Sequence, residues 1–176
     1  SALMLLRLNL ISIFLLFGSV AFGDELSDYR LGSGDKISIQ VYGEEDLSLE
    51  IGLSDVGTFA YPFLGDIFAL GKTPDEVRSQ IIAGLKGDYL IDPKVNVSIV
   101  EYRSFFIDGE VSKPGGYPYL PGLSLQKAIA LAGGFTERAS RSKIKVIREV
   151  SGKTEILGLE DSVSPGDIVT VEQSFF

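Results

Sequence analysis

Apolar and polar residues alternate over several short stretches of this chain, as they do in half-buried strands whose successive side chains face opposite ways. Residues 37–41 (Ile-Ser-Ile-Gln-Val) and 95–99 (Val-Asn-Val-Ser-Ile) alternate cleanly, and each follows a turn, Gly34-Asp35 and Asp92-Pro93 respectively. Shorter strand candidates lie at 49–53, 58–61 and 66–70, punctuated by Ser54-Asp55-Val56-Gly57, Pro62 and Gly65. Thr73-Pro74-Asp75-Glu76 then starts a helix: Thr73 can cap, Pro74 suits the first helical position and Glu76 completes a capping box. Val77, Ile81, Ile82 and Leu85 form one apolar stripe, and Gly87 can stop the helix.

The same order resumes near Arg103. Residues 105–111 predict a strand, Ser112-Lys113-Pro114-Gly115-Gly116 a turn, and 117–119 a short return strand that Pro118 confines to an edge. Ser124 can cap a helix carrying Leu125, Ala128, Ile129 and Ala132, which ends at Gly133-Gly134. A strand at 143–148 points Ile144 and Val146 inward and Lys143 and Lys145 outward. Strand 154–157 follows, and Ser164-Pro165-Gly166-Asp167 introduces the last strand at 168–171. Strands around one helix, twice over, predict an α+β chain of two small sheet-and-helix lobes. The Gly-Asp pairs before Lys36 and Ile168 echo each other as turn-then-strand punctuation, short of an internal repeat.

The first 23 residues differ from the rest, with Arg7 their single charge. Met4 fits a natural start, leaving Ser1-Ala2-Leu3 as an expression scar. An apolar stretch at 8–17 leads to small residues at 18–23, with Ala21 and Gly23 in the −3 and −1 places of a cleavage site. Its apolar core is about half the ~20 residues of a spanning helix. Residues 1–23 therefore read as scar plus Sec-type signal peptide, the alternative being an uncleaved anchor, and the mature chain would begin outside the cytoplasm at Asp24.

Charge and composition narrow the chemistry further. The formal net charge is −8, and removing Arg7 with the leader makes it −9, so a phosphate backbone is repelled and nucleic acid is not an expected partner. Cys and His are both absent, which removes thiol chemistry, disulfides, the commonest general base and the commonest metal ligand. No pair of carboxylates stands out for glycosidase work. The acidic run Glu44, Glu45, Asp46 and Glu50 lacks the loop spacing of a calcium site and reads as solvated. No catalytic residue, metal ligand or cofactor is assigned.

Two surfaces are candidates for glycan or subunit contact. In the Lys113 to Tyr117 turn, Tyr117 and the nearby Tyr119 can stack on sugar faces, against the plainer reading of a hairpin with packed aromatics. Arg138, Arg141, Lys143 and Lys145 form the densest basic cluster in an acidic chain, suited to an anionic polysaccharide or an acidic neighbour, against a merely solvated strand face.

Taken in order, the motifs resemble those of a known family. The segment Tyr29-Arg-Leu-Gly-Ser-Gly-Asp-Lys-Ile-Ser-Ile-Gln-Val41 resembles the opening of the polysaccharide export sequence domain. Val56-Gly-Thr-Phe-Ala-Tyr-Pro-Phe-Leu-Gly65 resembles its hairpin, and Asp92-Pro-Lys-Val-Asn-Val97 its closing strand. Asp108-Gly-Glu-Val-Ser-Lys-Pro-Gly-Gly-Tyr117, with Ala132-Gly-Gly-Phe135, resembles the SLBB domain, a β-grasp fold named for soluble-ligand binding. The two in this order are similar to the outer-membrane polysaccharide exporter (OPX) family, which implies domains at 24–102 and 103–176, the second lobe β-grasp-like. Membership implies a non-enzymatic, ring-like homo-oligomer in the periplasm. With an inner-membrane polysaccharide co-polymerase it would pass capsule or exopolysaccharide outward. Two departures, no lipobox Cys and no amphipathic pore helix before Phe176, liken the chain to short members that need a separate outer-membrane channel. The other readings are a periplasmic glycan- or soluble-ligand-binding module without an export role, and, disfavoured by the missing His, a carbohydrate-active enzyme.

Overall fold

The computed structural model describes residues 28–175, so the signal-peptide reading lies outside the described residues. The first lobe holds β1 (Lys36–Val41), β2 (Leu49–Gly52), β3 (Thr58–Tyr61), β4 (Gly65–Phe68), α1 (Pro74–Leu85) and β5 (Val95–Glu101). Strand β1 lies between β2 and β5, antiparallel to both, while β3 and β4 pair only with each other. Alternation does what it predicts: Ile37, Ile39 and Val41 are enclosed while Gln40 stays exposed.

Helix α1 begins as its sequence dictates. The Thr73 hydroxyl accepts from the Glu76 N–H at 3.2 Å, and the Glu76 carboxylate accepts from the Thr73 N–H at 2.9 Å. A cap of this kind contributes about 0.5–2 kcal/mol. Val77, Ile81 and Leu85 are fully enclosed against β5, with Ile82 half-buried at the rim. Gly84 lets the β3–β4 hairpin approach, because a Cβ there would lie 2.7 Å from a Leu64 methyl. Leu31, Phe59, Tyr61 and Ile67 complete this core, each large side chain contributing about 1.5–3 kcal/mol by leaving water.

The second lobe holds β6 (Phe105–Gly109), β7 (Gly115–Tyr117), α2 (Leu125–Leu131), β8 (Ala139–Ile147), β9 (Thr154–Leu157) and β10 (Ile168–Gln173). They form one sheet in the order β7-β6-β10-β8-β9, parallel between β6 and β10 and antiparallel elsewhere. Leu125, Ala128 and Ile129 of α2 bury against Phe105, Ile107, Val146 and Val169. This is the β-grasp-like lobe that the resemblance implies, and the chain is α+β throughout its two lobes.

Strands β4 and β6 end at Phe68 and Gly109, short of the expected 70 and 111, β10 runs on to Gln173, and two further elements differ from the sequence reading. The return strand is Gly115–Tyr117, with Pro118 just past its end, because only residues with an N–H can pair with β6. Strand β8 begins at Ala139, which pairs with Gln173 beyond an irregularity in the ladder. Its first half, Ser140 to Lys143, has no apolar residue to betray a strand.

Candidate functional site

The most strongly constrained polar constellation lies between the two lobes. Asp35 closes the turn before β1 and is wholly enclosed. Its Oδ2 accepts from the Gly32 N–H at 2.8 Å, the Tyr29 hydroxyl at 2.8 Å and Nη1 of Arg103 at 3.1 Å. Its Oδ1 accepts from the Arg103 N–H at 2.7 Å. A carboxylate offers about four acceptor positions, and Asp35 receives four hydrogen bonds. Such complete pairing is what makes a buried charge tolerable, since an isolated one costs several kcal/mol.

Arg103 carries this charge across to the second lobe. Its Nη1 also donates to the Tyr29 hydroxyl at 2.7 Å, and its Nε donates to Glu149 at the turn after β8. Glycines make room for the guanidinium. A Cβ on Gly32 would lie 2.6 Å from Cζ of Arg103, and one on Gly166 would lie 3.0 Å from its Nε and collide with Glu149. Burial alone would lower the arginine's pKa, but the Glu149 hydrogen bond and the nearby Asp35 and Glu149 charges leave it raised, so Arg103 is a permanent cation. Burial, then the Asp35 charge, pushes the Tyr29 hydroxyl far above the usual tyrosine range and keeps it neutral. Edge-to-face contacts from Tyr29 to Tyr102 (5.0 Å) and from Tyr102 to Tyr119 (5.3 Å) continue the joint as an aromatic file.

The second lobe repeats the device. Asp167, 1% exposed, accepts from the Ser164 N–H at 2.8 Å and from Nη1 of Arg148 at 2.6 Å, while Nε of Arg148 reaches Glu155 at 2.9 Å. Both aspartates precede the central strand of their sheet, β1 and β10. The Gly-Asp echo in the sequence is therefore a buried aspartate that closes a turn and binds an arginine from elsewhere in its lobe or at its border. Neither constellation gathers a metal-holding group of side chains; what they do is fix loops and lobes in place.

The predicted contact residues fall into two groups. Lys113 is exposed at the β6–β7 turn, its carbonyl accepting from the Tyr117 hydroxyl and its N–H donating to the Ala132 carbonyl at 2.8 Å. Tyr117 lies half-buried beside Phe105, and Tyr119 is half-buried against Tyr102, so both rings are largely used in packing. Burial also raises the Tyr119 pKa. Arg138 and Arg141 are exposed, and the Arg141 guanidinium lies 5.6 Å from the centre of the Phe135 ring. Phe135 bridges to Val111, which places Arg141 and Lys113 at the same end of the lobe.

Sequence reasoning missed Arg103 entirely, and also an aromatic pair on the first lobe. Phe63, at φ 64°, stacks on Tyr89 with ring centres 4.8 Å apart, and both are exposed. A left-handed backbone at a residue with a Cβ costs about 1–2 kcal/mol. The only available signal was a bulky residue standing between Pro62 and Leu64-Gly65 in a tight hairpin. The acidic run sits around a short 3-10 turn, Glu45–Leu47, and no group of carboxylates placed to hold a metal ion occurs among the described residues.

Residues 24–100 match the family model of the polysaccharide biosynthesis/export proteins, and residues 104–157 match that of the SLBB domain. The exopolysaccharide production protein ExoF of Rhizobium meliloti (strain 1021) is 37% identical over 66% of this chain and 30% of its own length. The EPS I polysaccharide export outer membrane protein EpsA of Ralstonia nicotianae is 32% identical over 82% of this chain and 47% of its own. The capsule polysaccharide export outer membrane protein CtrA of Neisseria meningitidis is 28% identical over 87% of this chain and 39% of its own. The chain thus spans less than half the length of these relatives.

Proposed function

Because the chain belongs to the polysaccharide biosynthesis/export family, we propose that it is a non-catalytic, periplasmic part of an oligomeric conduit for capsule or exopolysaccharide. The observation that carries this reading is the Arg103 joint. A ring of identical subunits closes only if each head-to-tail contact turns the chain by the same angle. A loose hinge inside the subunit would spread that angle, and errors would add around the ring. The enclosed Asp35–Arg103 pair, continued to Glu149, removes that freedom and presents the two lobes as one block.

Its partners on this reading are further copies of itself, an inner-membrane polysaccharide co-polymerase, an outer-membrane channel and the polymer. Arg138, Arg141 and the exposed Lys113 turn face solvent where a polymer or a neighbouring subunit can meet them. On a chain of net charge −8, this basic end attracts anionic groups locally while the remainder repels them. No helix among the described residues is long and apolar enough to cross a membrane.

Two measurements test the proposal. Deleting the gene is expected to trap polymer inside the cell envelope; normal export would sink it. Light scattering and negative-stain imaging of the mature chain, alone and with its co-polymerase, are expected to reveal closed oligomers, whereas a strict monomer in both conditions overturns the conduit.

A further inference from the structure

The first lobe's sheet has a second face, turned away from the core, with chemistry of its own. Residues 36, 38 and 40 of β1 face outward, continued by Tyr42 just past its end, and β5 answers with 96 and 98, preceded by Lys94. Gln40 lies directly opposite Asn96 in the ladder, and Ser38 opposite Ser98. One step further the Tyr42 N–H donates to the Lys94 carbonyl at 2.9 Å. Gln40, Tyr42, Lys94 and Asn96, with the edges of Val41 and Val95, line a depression of about 310 Å³.

Three features set this depression apart from an ordinary solvated strand face. Tyr42 is 87% exposed and has no aromatic or cationic partner among the described residues. The amides of Gln40 and Asn96, each with two donors and an acceptor, make no hydrogen bond to any described residue. The one cation, Lys94, has its ammonium 3.3 Å from Asp92, so the depression is close to neutral. A flat apolar ring beside two opposed amides matches a pyranose, which offers an apolar C–H face and a fringe of hydroxyls.

We propose that Tyr42, Gln40 and Asn96 form a saccharide-binding subsite for an uncharged stretch of the exported polymer, an assignment that rests on the export reading above. The ring of Tyr42 stacks on a sugar face, and the two amides hydrogen-bond its hydroxyls. The volume is at the low end for a ligand site and holds roughly one or two sugar rings. Such a subsite on a transit path must bind weakly enough to release, on the order of millimolar.

The test titrates the isotope-labelled mature chain with oligosaccharides released by mild acid from the producing organism's own exopolysaccharide, followed by NMR. The signals of Gln40, Tyr42 and Asn96 are expected to shift together. Tyr42→Ala and Asn96→Ala are each expected to weaken binding about three- to tenfold, while Tyr42→Phe keeps most of it. Both side chains to be changed, Tyr42 and Asn96, are exposed, so the melting temperature should hold and loss of fold will not mimic loss of binding. Shifts confined to other surfaces, unchanged affinity in both alanine variants, or no shift at all overturn the subsite while leaving the export reading intact. Loss of self-association in Tyr42→Ala with saccharide affinity unchanged overturns it in favour of a contact between copies. Normal polymer export after gene deletion instead removes the export reading on which the assignment rests.

Discussion

Nη1 of Arg103 stands 3.1 Å from Oδ2 of Asp35 across 68 positions of chain, and the carboxylate is wholly enclosed. Such a pair is asymmetric in its energetics. Complete, it is close to balanced against apolar residues of the same size; with one partner removed, it leaves a buried charge unanswered. Arg103→Met is therefore expected to destabilise the chain by about 3–5 kcal/mol, a large share of the 5–15 kcal/mol typical of a domain. Urea denaturation of the mature protein measures it. The double change Asp35→Asn with Arg103→Met should cost less than the sum of its parts, because it removes both charges.

Glu149 is the weaker arm of the same joint. Its side chain is 49% exposed, so water and salt screen its pairing with Arg103. Glu149→Gln is expected to cost about 1 kcal/mol or less in stability. Its larger effect should be on lobe orientation: small-angle scattering should detect a broader range of shapes than in the parent, and molar salt should broaden the parent in the same way.

Tyr29 gives the joint an alkaline limit. Its hydroxyl titrates near 10.0 in an unfolded chain and far higher when folded. A raised folded pKa contributes stability that is complete below about pH 10 and lost as pH climbs above it, because the unfolded chain gives up the proton first. Burial raises Tyr61, Tyr102 and Tyr119 in the same direction. Stability is therefore expected to fall steeply above about pH 10, and Tyr29→Phe should make that fall shallower. Chemical denaturation across an alkaline series, with tyrosinate absorbance as the titration signal, decides it.

Gly109 and Gly152 both have positive φ but differ in what surrounds them. A Cβ on Gly109 would lie 2.1 Å from the Val171 carbonyl oxygen of β10, whereas one on Gly152 would meet nothing within 4 Å. Gly152→Ala is expected to cost about 1–2 kcal/mol, the left-handed backbone alone. Gly109→Ala must also part the parallel β6–β10 pair and should cost at least about 2 kcal/mol more. Thermal denaturation of the two variants side by side gives the difference.

Arg138 and Arg141 test the basic end of the second lobe. Both are exposed, so changing the two to glutamate should leave stability within about 0.5 kcal/mol per site. Retention on an acidic polysaccharide matrix at low salt should fall sharply in the double variant, and molar salt should abolish the parent's advantage.

What could be read from the sequence was local. The α1 cap needs only Thr73 and Glu76, three positions apart, and the strands 58–61 and 154–157 have the bounds that alternation and turn residues set. Arg103 was opaque because its partners, Asp35 and Glu149, lie 68 and 46 positions away, and no short window relates them. The first half of β8 was opaque for the opposite reason: Ser-Arg-Ser-Lys carries no apolar signal, and what carries the strand back to Ala139 is that residue's pairing with Gln173 of β10, beyond the irregularity. Residue type also left the role of Tyr117 open. A tyrosine at a Pro-Gly turn can face a sugar or fold back, and here its hydroxyl returns to the Lys113 carbonyl.

The position of Arg103 bears on the order in which the chain assembles. The first lobe's apolar core is complete by Val97, and its wholly enclosed Asp35 is in place long before then. The cation that answers that aspartate arrives only at residue 103, two positions before the second lobe's first strand. A chain emerging N-terminus first can therefore collapse its leading lobe but cannot neutralise it until the trailing lobe has begun to appear. Maturation of the first half is timed by the start of the second.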